Sequence, residues 1–295
     1  MTLALIRSPR LNERTTLRLG GTALAEAVVF SEAALDQLAR ELPGLGGRPL
    51  ALGAGSNLLA LDGELPLVLV RPVNNAAPDV RRLPGGAVLR AGAGFGLPRL
   101  IGLCQRLGLS GLENLTGIPG RVGGAVAMNA GSYGMETAQA LSRVRLWTPE
   151  AGLFWREAKD CAFGYRRFDP CLGAASSLCL IWEAEFLLAA DEPANIRARM
   201  EATYARKKAS QPVTARSAGC VFKNPEGMSA GRLLDEAGLR GKVLGGMAFS
   251  GMHANFLVNQ GGGTSAQALE LIDMGRSAVR ARFGVDLELE VVVLK

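Results

Sequence analysis

The sequence predicts an α+β protein of two domains. Its 295 residues suit one large or two ordinary domains, and 48% of them are hydrophobic, which is enough for a sizeable core. Short apolar runs of strand length alternate with stretches that carry leucine at helical spacing. A basic amphipathic helix is predicted at about 193–209, before Gln211-Pro212, and a compact set of further elements follows it. We therefore expect one domain over residues 1–192 and a second over residues 193–295.

Strands are predicted in the first part of the chain by short apolar runs bounded by glycine or proline. The segment 143–157 is typical of a hairpin, with Pro149 and Gly152 in its turn. The other strands are expected at 15–19, 48–53, 65–70, 87–92 and 178–189.

Two helices are predicted between these strands. The first covers 31–42, carries leucine on one face and has Ser31 as its expected N-cap. The second covers 97–108, where Pro98 lies near the start and Gly108 marks the end.

The residues after Pro212 are expected to form a compact group of α-helices and β-strands. A short helix is expected after Ser229, a suitable N-cap, and ends at Gly238. A longer helix is expected from Thr264, which forms a capping box with Gln267. The strands of this set are expected at 217–223, 253–259 and 286–294.

The charge and the cysteines limit the function classes. The formal net charge is +6, but acids accompany the bases along the chain, which favours small polyanions over a nucleic-acid surface. The five cysteines form no C-x-x-C pair, and the first apolar run is too short for a signal peptide. We therefore expect reduced thiols and a cytoplasmic protein. Glu183 and Glu185 interrupt the most apolar stretch, so membrane insertion is not expected.

The first glycine-rich loop runs from Gly53 to Leu58, after a predicted strand. Its small residues would let backbone amides approach an anion closely. Leu58 stands where a dinucleotide fingerprint needs glycine, and no Gly-Lys-Ser/Thr follows, so the loop is neither a Rossmann fingerprint nor a P-loop. A tight turn between strands is the competing interpretation, and the loop by itself favours that turn.

A second glycine-rich stretch runs from Gly117 to Gly134. Ordering glycine in regular elements costs roughly 1 kcal/mol per residue, so this composition needs a reason. A crowded crossover is one reason, and close approach of the backbone to a ligand is another. Two such loops together favour a bulky, phosphate-bearing cofactor.

Four single residues could act in a site, but taken one by one they are first given a structural interpretation. His253, the only histidine, lacks a ligand cluster or a G-x-S-x-G elbow and is typical of a hydrogen-bonded strand end. Lys208 is typical of a solvated helix face, and Cys220 of a buried, inert thiol in a strand. Glu290 precedes a continuous apolar run, where an acid needs a partner.

Six blocks of sequence, in this order, carry a resemblance to a known family. They are LGAGSNLL, GLENLTGIPGRVGGAVAMNAGSYG, FGYRRF, SAGCVFKNP, GLRGKVLGGMAFSGMHANFLVNQGGGT and the terminal strand that contains Glu290. From RTTLRLGG almost to its end, the chain resembles the UDP-N-acetylenolpyruvoylglucosamine reductases, flavoenzymes of bacterial peptidoglycan synthesis. The short spacing between Tyr165-Arg166 and SAGCVFKNP resembles the shorter form of this family, which lacks an extra substrate-closing loop.

The resemblance implies an FAD-binding domain of the vanillyl-alcohol-oxidase (PCMH) type, followed by a smaller α/β substrate-binding domain. It implies FAD as the cofactor and NADPH as the reductant that drives reduction of the enolpyruvyl group of a UDP-sugar. Nucleic acid is not an expected partner, and a monomer is expected. The residues that the resemblance assigns to FAD are Gly53, Ala54, Gly55, Ser56, Asn57, Leu58, Asn114, Thr116, Gly117, Ile118, Pro119, Gly120, Gly123, Gly124, Asn129, Ala130 and Gly131.

The resemblance also implies three catalytic residues. No metal is expected, because the sequence shows no cluster of metal-ligating residues. Arg166 would stabilise the negative charge that builds up on the substrate carboxylate. Glu290 would polarise the same carboxylate, which requires that burial keep it protonated near pH 7. Cys220 stands where the family usually has serine, and a thiol with a reference pKa of ~8.5 can also donate a proton to a carbanion. The residues that fall on substrate-contacting positions are Tyr165, Lys208, Asn224 and His253.

The chain departs from the family at a second position, and two other functions stay open. Phe168 stands where the usual Y-R-x-S pattern has serine. A flavin alcohol oxidase of the same superfamily would react with oxygen and need no UDP-sugar, and SAGCVFKNP argues against it. A non-catalytic nucleotide- or RNA-binding module would fit the net charge of +6, and flavin absorbance in the purified protein would exclude it.

Overall fold

The structure is a computed structural model, and it describes residues 3–173 and 178–295. The strands are β1 Leu3–Arg7, β2 Thr22–Val29, β3 Arg48–Ala51, β4 Leu58–Ala60, β5 Glu64–Pro72, β6 Asp79–Leu83, β7 Gly86–Gly92, β8 Leu109–Ser110, β9 Gly131–Ser132, β10 Met135–Glu136, β11 Leu141–Thr148, β12 Gly152–Glu157, β13 Ala162–Gly164, β14 Arg167–Asp169, β15 Leu180–Ala190, β16 Ser217–Cys220, β17 Val243–Leu244, β18 Met247–Phe249, β19 Phe256–Asn259 and β20 Val292–Leu294. The α-helices are α1 Ala33–Glu41, α2 Leu97–Arg106, α3 Val122–Ala127, α4 Pro193–Ser210, α5 Ala230–Glu236 and α6 Ser265–Phe283. Short 3-10 helices cover Leu11–Glu13, Leu42–Leu45, Glu113–Leu115, Thr137–Gln139 and Ala158–Asp160.

The chain divides into two compact units that alternate along the sequence. Unit 1 contains Met1–Arg7, Ala25–Ala54 and Leu67–Arg206, and unit 2 contains Ser8–Leu24, Gly55–Pro66 and Lys207–Lys295. This grouping differs from the expected single boundary at 192/193. Two early segments belong with the C-terminal residues, and the division at the end of unit 1 falls inside α4 rather than before it.

Long-range hydrogen bonds explain why the early segments join unit 2. The Thr16 hydroxyl donates to the carbonyl oxygen of Ser217 at 2.6 Å, and the Asn259 side chain donates to that of Leu17 at 3.1 Å. Strand β4 pairs in parallel with β20, where Leu58 lies opposite Val292. Residues 8–24 and 55–66 are thereby bonded to the last third of the chain.

Unit 1 contains two larger sheets. One has the strand order β1-β2-β5-β3, and α1 packs its buried Leu35 and Leu38 in the same core cluster as Val68 and Val70. The other has the order β12-β11-β15-β7-β6, with β8 also paired to β15. Residues of α2 and α3 lie in one core cluster with β7, β11 and β15. The two acids that interrupt the apolar run in β15 form ion pairs, and Arg143 holds Glu185 at 2.7 Å.

Unit 2 is a small sheet with two helices. Its strand order is β16-β19-β18-β17, and buried residues of α5 and α6 share a core cluster with Phe222 and Phe249. Both caps predicted for the helices of unit 2 are confirmed. The Ser229 hydroxyl accepts from the amide of Arg232 at 3.3 Å, and Thr264 and Gln267 form the reciprocal capping box.

Several predicted elements are confirmed with shifted ends, and others are wrong. The hairpin is present as β11 and β12. The predicted strand at 15–19 is absent, because Arg18 takes a left-handed backbone (φ 59°). The predicted N-cap Ser31 is also wrong: Glu32 occupies that position, and the buried Ser31 hydroxyl has no hydrogen-bond partner. Within the described residues, no helix is both long enough and apolar enough to cross a bilayer.

The predicted C-terminal strand is much shorter than expected. Regular pairing begins only at Val292, and before it Leu289 makes a single bridge to Phe222. The reason is that the two parts of this segment pair with different partners. Apolar alternation alone does not reveal such a change of partner.

Candidate active site

The first glycine-rich loop begins where the chain leaves β3, and two glycines of unit 1 face open space there. Leu52 still donates its amide to Val70 at 2.8 Å. A Cβ on Gly53 would have Gly124 as its nearest neighbour, at 4.0 Å, and a Cβ on Gly124 would meet nothing within 4 Å. A side chain at either position would enter this space, so the two glycines leave an open cradle in which the backbone is accessible to a ligand.

Gly55, in the same loop but in unit 2, is required by the loop itself. Its φ is +65°, and a Cβ would lie 2.0 Å from the carbonyl oxygen of Arg14. The amide of Thr16 also donates to the carbonyl oxygen of Gly55 at 3.2 Å. The structural interpretation of this loop is therefore correct for Gly55, whereas Gly53 faces open space.

Asn57 connects this loop to an expected catalytic residue. Its side-chain amide donates to the carbonyl oxygen of Glu290 at 3.0 Å, and its own carbonyl accepts from the amide of Val292 at 3.0 Å. Leu58 follows as the first residue of β4. A residue expected to bind FAD thus fixes the backbone around Glu290.

The second glycine-rich stretch lies beside the chain that joins β7 to α2. Gly123 donates its amide to Ala93 at 3.0 Å, and a Cβ on Gly123 would lie 2.8 Å from the Ala93 side chain. Gly117 (φ +83°) and Gly120 (φ +133°) take conformations that other residues rarely adopt. The crowded crossover therefore explains Gly123, whereas the neighbouring Gly124 is exposed.

An ion pair between the buried Glu113 and the partly exposed Arg199 supports the start of this stretch. The Thr116 hydroxyl donates to the carbonyl oxygen of Glu113 at 2.6 Å, and the Ser132 hydroxyl donates to that of Asn114. The Glu113 carboxylate accepts from Arg199 at 2.8 Å. Burial alone would raise the pKa of Glu113, but the hydrogen bonds from the Gly111 amide and from the neighbouring side chains hold that pKa below its usual range.

Asn129 uses its side chain to hold the loop together. The side chain is fully buried, and its amide nitrogen donates to Glu136 at 2.8 Å and to the carbonyl oxygen of Gly164 at 3.1 Å. Its oxygen accepts from the amide of Ala138 at 3.0 Å. Asn129 was expected among the FAD-binding residues, and the structure gives its side chain a supporting task.

Arg166 lies at the tip of a hairpin that the strand predictions did not include. Strands β13 and β14 form this hairpin, and Arg166 takes a left-handed backbone (φ 56°) in its turn. Its guanidinium donates to the carbonyl oxygen of Gly131 at 3.2 Å and lies over the ring of Tyr165, which is 42% exposed. Phe168, at the position of the usual serine, pairs with Phe163 at a ring distance of 5.3 Å.

In unit 2, Cys220 and Glu290 lie on segments that are bonded to each other. The amide of Glu290 donates to the carbonyl oxygen of Val221 at 2.8 Å, and Leu289 forms a bridge with Phe222. Cys220 closes β16, which is irregular against β19 at this point. Both side chains are partly buried. The structure therefore brings these two predicted residues together within one unit.

Asn255 supports this pair of segments and is not among the residues expected from the sequence. It is 2% exposed, and its side-chain amide accepts from the amide of Phe222 at 2.9 Å and donates to the carbonyl oxygen of Phe222 at 2.8 Å. Its own carbonyl accepts from Val221 at 2.8 Å. The sequence feature that could have identified Asn255 is its position next to the apolar run that begins at Phe256, because asparagine is uncommon in strands.

Three of the expected substrate residues lie in unit 2. Lys208 is exposed near the end of α4, whereas its neighbour Lys207 is 3% exposed. The Asn224 side chain accepts from the amide of Ala230, the first residue of α5, at 3.0 Å. The third of them, His253, lies in the turn before β19, not in the strand.

The environment of His253 favours the neutral imidazole. Burial, and then the charge of Arg240, hold the pKa of His253 below its usual value. Its Nδ1 accepts from the amide of Asn255 at 3.2 Å, and its ring meets that of Phe256 edge-on at 5.0 Å. A Cβ on Gly231 would lie 2.6 Å from the imidazole, so glycine makes room for the ring.

Comparison with known proteins gives the same assignment over the whole chain. A sequence profile described as FAD binding domain matches residues 25–155, and one described as the C-terminal domain of UDP-N-acetylenolpyruvoylglucosamine reductase matches residues 211–294. The reductase of this name from Nitratidesulfovibrio vulgaris is 52% identical over 294 residues, which is 99% of each chain. The one from Oleidesulfovibrio alaskensis is 47% identical over 98% of this chain and 97% of its own.

A solved structure agrees with the sequence comparison. The crystal structure of UDP-N-acetylenolpyruvylglucosamine reductase from Thermus caldophilus matches with a TM-score of 0.81 and 35% identity, and the match covers 100% of both chains. The expected fold class is confirmed, with an FAD-binding domain joined to the C-terminal domain of this family, and FAD is the cofactor. The chain therefore belongs to the UDP-N-acetylenolpyruvoylglucosamine reductase family.

Proposed function

We propose that this protein, in the cytoplasm, uses NADPH and FAD to reduce UDP-N-acetylglucosamine enolpyruvate to UDP-N-acetylmuramate, a step of peptidoglycan precursor synthesis. The names of its relatives support the substrate class. The observation that carries the proposal is the pairing of the segments that hold Cys220 and Glu290, through the 2.8 Å bond from Glu290 to Val221. This pairing brings a proton donor and a carboxyl group into one neighbourhood.

FAD, when bound, supplies a hydride to the terminal carbon of the enolpyruvyl group. The cradle between Gly53 and Gly124 supports the assignment of the glycine-rich loops to this cofactor, because a side chain at either position would occupy the same space. Asn57 and Asn129, by contrast, act through hydrogen bonds that shape these loops.

Arg166 binds the carboxylate of the enolpyruvyl group. As the double bond is reduced, negative charge moves onto the adjacent carbon and this carboxylate, and a guanidinium stabilises it with two fixed hydrogen bonds. Two features support the assignment. The hairpin turn fixes the backbone of Arg166, and the bond to Gly131 orients its guanidinium.

Cys220 supplies the proton that completes the reduction. The carbanion takes a proton from the Cys220 thiol, which leaves a thiolate that regains its proton from water. The sum is NADPH plus one proton plus the enolpyruvyl ether, giving NADP⁺ and the lactyl ether. Glu290, partly buried beside Val221, polarises the substrate carboxylate. Tyr165, Lys208, Asn224 and His253 contact the UDP-sugar, and the exposed ammonium of Lys208 suits its diphosphate.

An anaerobic absorbance titration of the purified protein tests this function. NADPH should bleach the flavin band, and the enolpyruvyl UDP-sugar should restore it stoichiometrically, with UDP-N-acetylmuramate as the product. A reduced flavin that ignores the UDP-sugar but reoxidises rapidly in air would contradict the proposal and would favour the alcohol oxidase. A purified protein without flavin absorbance would favour the binding module.

A further inference from the structure

We propose that Asn57 is a positioning residue for Glu290, so that the loop expected to hold FAD also sets the direction of the Glu290 carboxyl group. The proposal rests on the proposed role of Glu290 in the reaction. It assigns to Asn57 a task that acts through the protein backbone, and it therefore differs from direct contact with the cofactor.

The C-terminal segment changes its pairing partner at Glu290. Before this point it runs beside the residues that follow Cys220: the amide of Lys223 donates to Glu288 at 2.9 Å, and the amide of Glu290 donates to Val221 at 2.8 Å. After this point it becomes β20 and pairs in parallel with β4. Glu290 is therefore the junction between an antiparallel and a parallel pairing.

Asn57 holds this junction with two groups. Its side-chain amide donates to the carbonyl oxygen of Glu290 at 3.0 Å, and its backbone carbonyl accepts from the amide of Val292 at 3.0 Å. The amide of Glu290 is bonded to Val221, so both peptide groups of Glu290 have partners. Fixing both peptide groups restricts φ and ψ of Glu290 and hence the direction of its Cα–Cβ bond.

The chemistry of the side chain explains why asparagine suits this position. The carbonyl of Glu290 needs a donor, which an amide provides and an ionised carboxylate does not. An aspartate at position 57 would also place a negative charge beside the Glu290 carbonyl oxygen. Because a displacement of about 1 Å can lower a rate by about 100-fold, loss of this bond should slow the step that uses Glu290 by about 10- to 100-fold.

A double-mutant cycle on the holoenzyme tests the proposal. The variants are Asn57→Ala, the near-isosteric Asn57→Asp, Glu290→Ala and the double variant Asn57→Ala/Glu290→Ala. Stopped flow measures reduction of the flavin by NADPH and its reoxidation by the UDP-sugar. Asn259→Ala is the matched control, because the Asn259 side chain also donates to backbone carbonyls of unit 2, those of Leu17 and Arg18.

We expect both Asn57 variants to slow reoxidation by about 10- to 100-fold, with reduction by NADPH near the wild-type rate. The double variant should be no slower than Glu290→Ala. Asn259→Ala should lower thermal stability and leave the reoxidation rate of the folded enzyme unchanged. Two results would contradict the positioning role and leave the role of Glu290 intact. In the first, Glu290→Ala is slow but Asn57→Ala reoxidises at the wild-type rate. In the second, the rate reductions of the two single variants multiply in the double variant. If Glu290→Ala reoxidises normally, both proposals fail.

Hydrogen–deuterium exchange provides a readout that does not depend on activity. Loss of the Asn57 side chain should accelerate exchange at the amides of Glu290, Val291 and Val292, which are bonded to Val221 and Asn57. The measurement applies to each purified variant whatever its flavin content. Unchanged exchange at these amides in Asn57→Ala and Asn57→Asp would overturn the proposal.

Discussion

The guanidinium of Arg166 donates a hydrogen bond to the carbonyl oxygen of Gly131 at 3.2 Å, which joins the tip of the β13–β14 hairpin to the glycine-rich stretch. The Asn129 side chain makes a second connection, to the carbonyl oxygen of Gly164 in the same hairpin, at 3.1 Å. These bonds offset the cost of about 1–3 kcal/mol of holding Arg166 in a left-handed conformation. The proposed anion-binding side chain is therefore oriented before substrate arrives.

Arg166→Ala should leave flavin content intact and slow reoxidation by the UDP-sugar by roughly 10²–10³-fold, the scale of losing one electrostatic stabiliser. Arg166→Lys keeps the charge but not the planar fork, so its rate should lie between those of Arg166→Ala and the wild type. Stopped-flow measurement of both half-reactions checks this. A wild-type reoxidation rate in Arg166→Ala would remove this residue from the mechanism.

Gly124→Ala should have opposite effects on stability and on cofactor binding. Its Cβ meets nothing within 4 Å, so alanine in α3 should raise the free energy of unfolding of the flavin-free protein by about 0.4–1 kcal/mol. The same methyl group lies in the proposed cradle and should lower the affinity for FAD. Chemical denaturation measures the effect on stability, and titration with FAD measures the effect on affinity. An unchanged affinity for FAD would contradict the assignment of Gly124 to the cofactor site.

Lys208→Ala should raise the KM for the UDP-sugar at low salt and leave kcat nearly unchanged. The expected partner is a diphosphate whose charge does not change during the reaction, so its binding is equal in the ground and transition states. The adjacent Lys207 is the matched control, because it is 3% exposed and its replacement should act on stability. Initial rates over a range of substrate concentrations give KM and kcat for both variants. An unchanged KM in Lys208→Ala would count against the assignment of Lys208 to the diphosphate.

The single histidine makes a direct titration possible. NMR of the imidazole should give a pKa for His253 below its usual value, and Arg240→Gln should raise that pKa because a positive neighbour is removed. The unfolded chain then binds a proton at higher pH than the folded one, so the contribution to stability is complete above about pH 6.5 and is lost as the pH falls below it. When the pH is lowered from 7.5 to 5.5, the urea midpoint of unfolding should fall less in His253→Gln than in the wild type. An equal fall in both proteins would contradict the shift.

The sequence predicts elements well where the deciding interactions are local. The caps at Ser229 and Thr264 are confirmed because each needs only residues within three positions along the chain. Ser31 has the same local pattern, but its hydroxyl is buried without a partner. The predicted strand at 15–19 is absent because Arg18 takes a left-handed backbone, and nothing local reveals that the Asn259 side chain would bond to the carbonyl oxygens of Leu17 and Arg18.

The same distinction between local and long-range interactions applies to the candidate site. Motifs predict the glycine-rich loops, and resemblance alone supplies Cys220 and Glu290. The sequence does not show that Glu290 sits where a strand changes partner, because both pairings join residues far apart in the chain. It also does not separate Gly124, which faces open space, from Gly123, which packs on Ala93.

The thiol chemistry of unit 1 permits a labelling test of Cys220. Burial raises the pKa of Cys104 to about 12 and that of Cys179 to about 11, so their thiolate fractions near pH 7 are small. Burial likewise raises the pKa of Cys161, whereas Cys171 is exposed. In a Cys171→Ser background, alkylation of Cys220 should abolish turnover and be slowed by bound UDP-sugar. Full turnover after stoichiometric labelling of Cys220 would contradict its role.

Proton transfer from Cys220 to the carbanion is tested by the rate at which the UDP-sugar reoxidises pre-reduced Cys220→Ala in an anaerobic stopped-flow experiment. NADPH should reduce this variant normally, since that step needs no such acid. Reoxidation should be slower by roughly 10²–10⁴-fold, the usual contribution of a positioned general acid, and Cys220→Ser should recover much of the loss. Reoxidation of Cys220→Ala at the wild-type rate would contradict the claim and leave the thiol as a packed residue of β16.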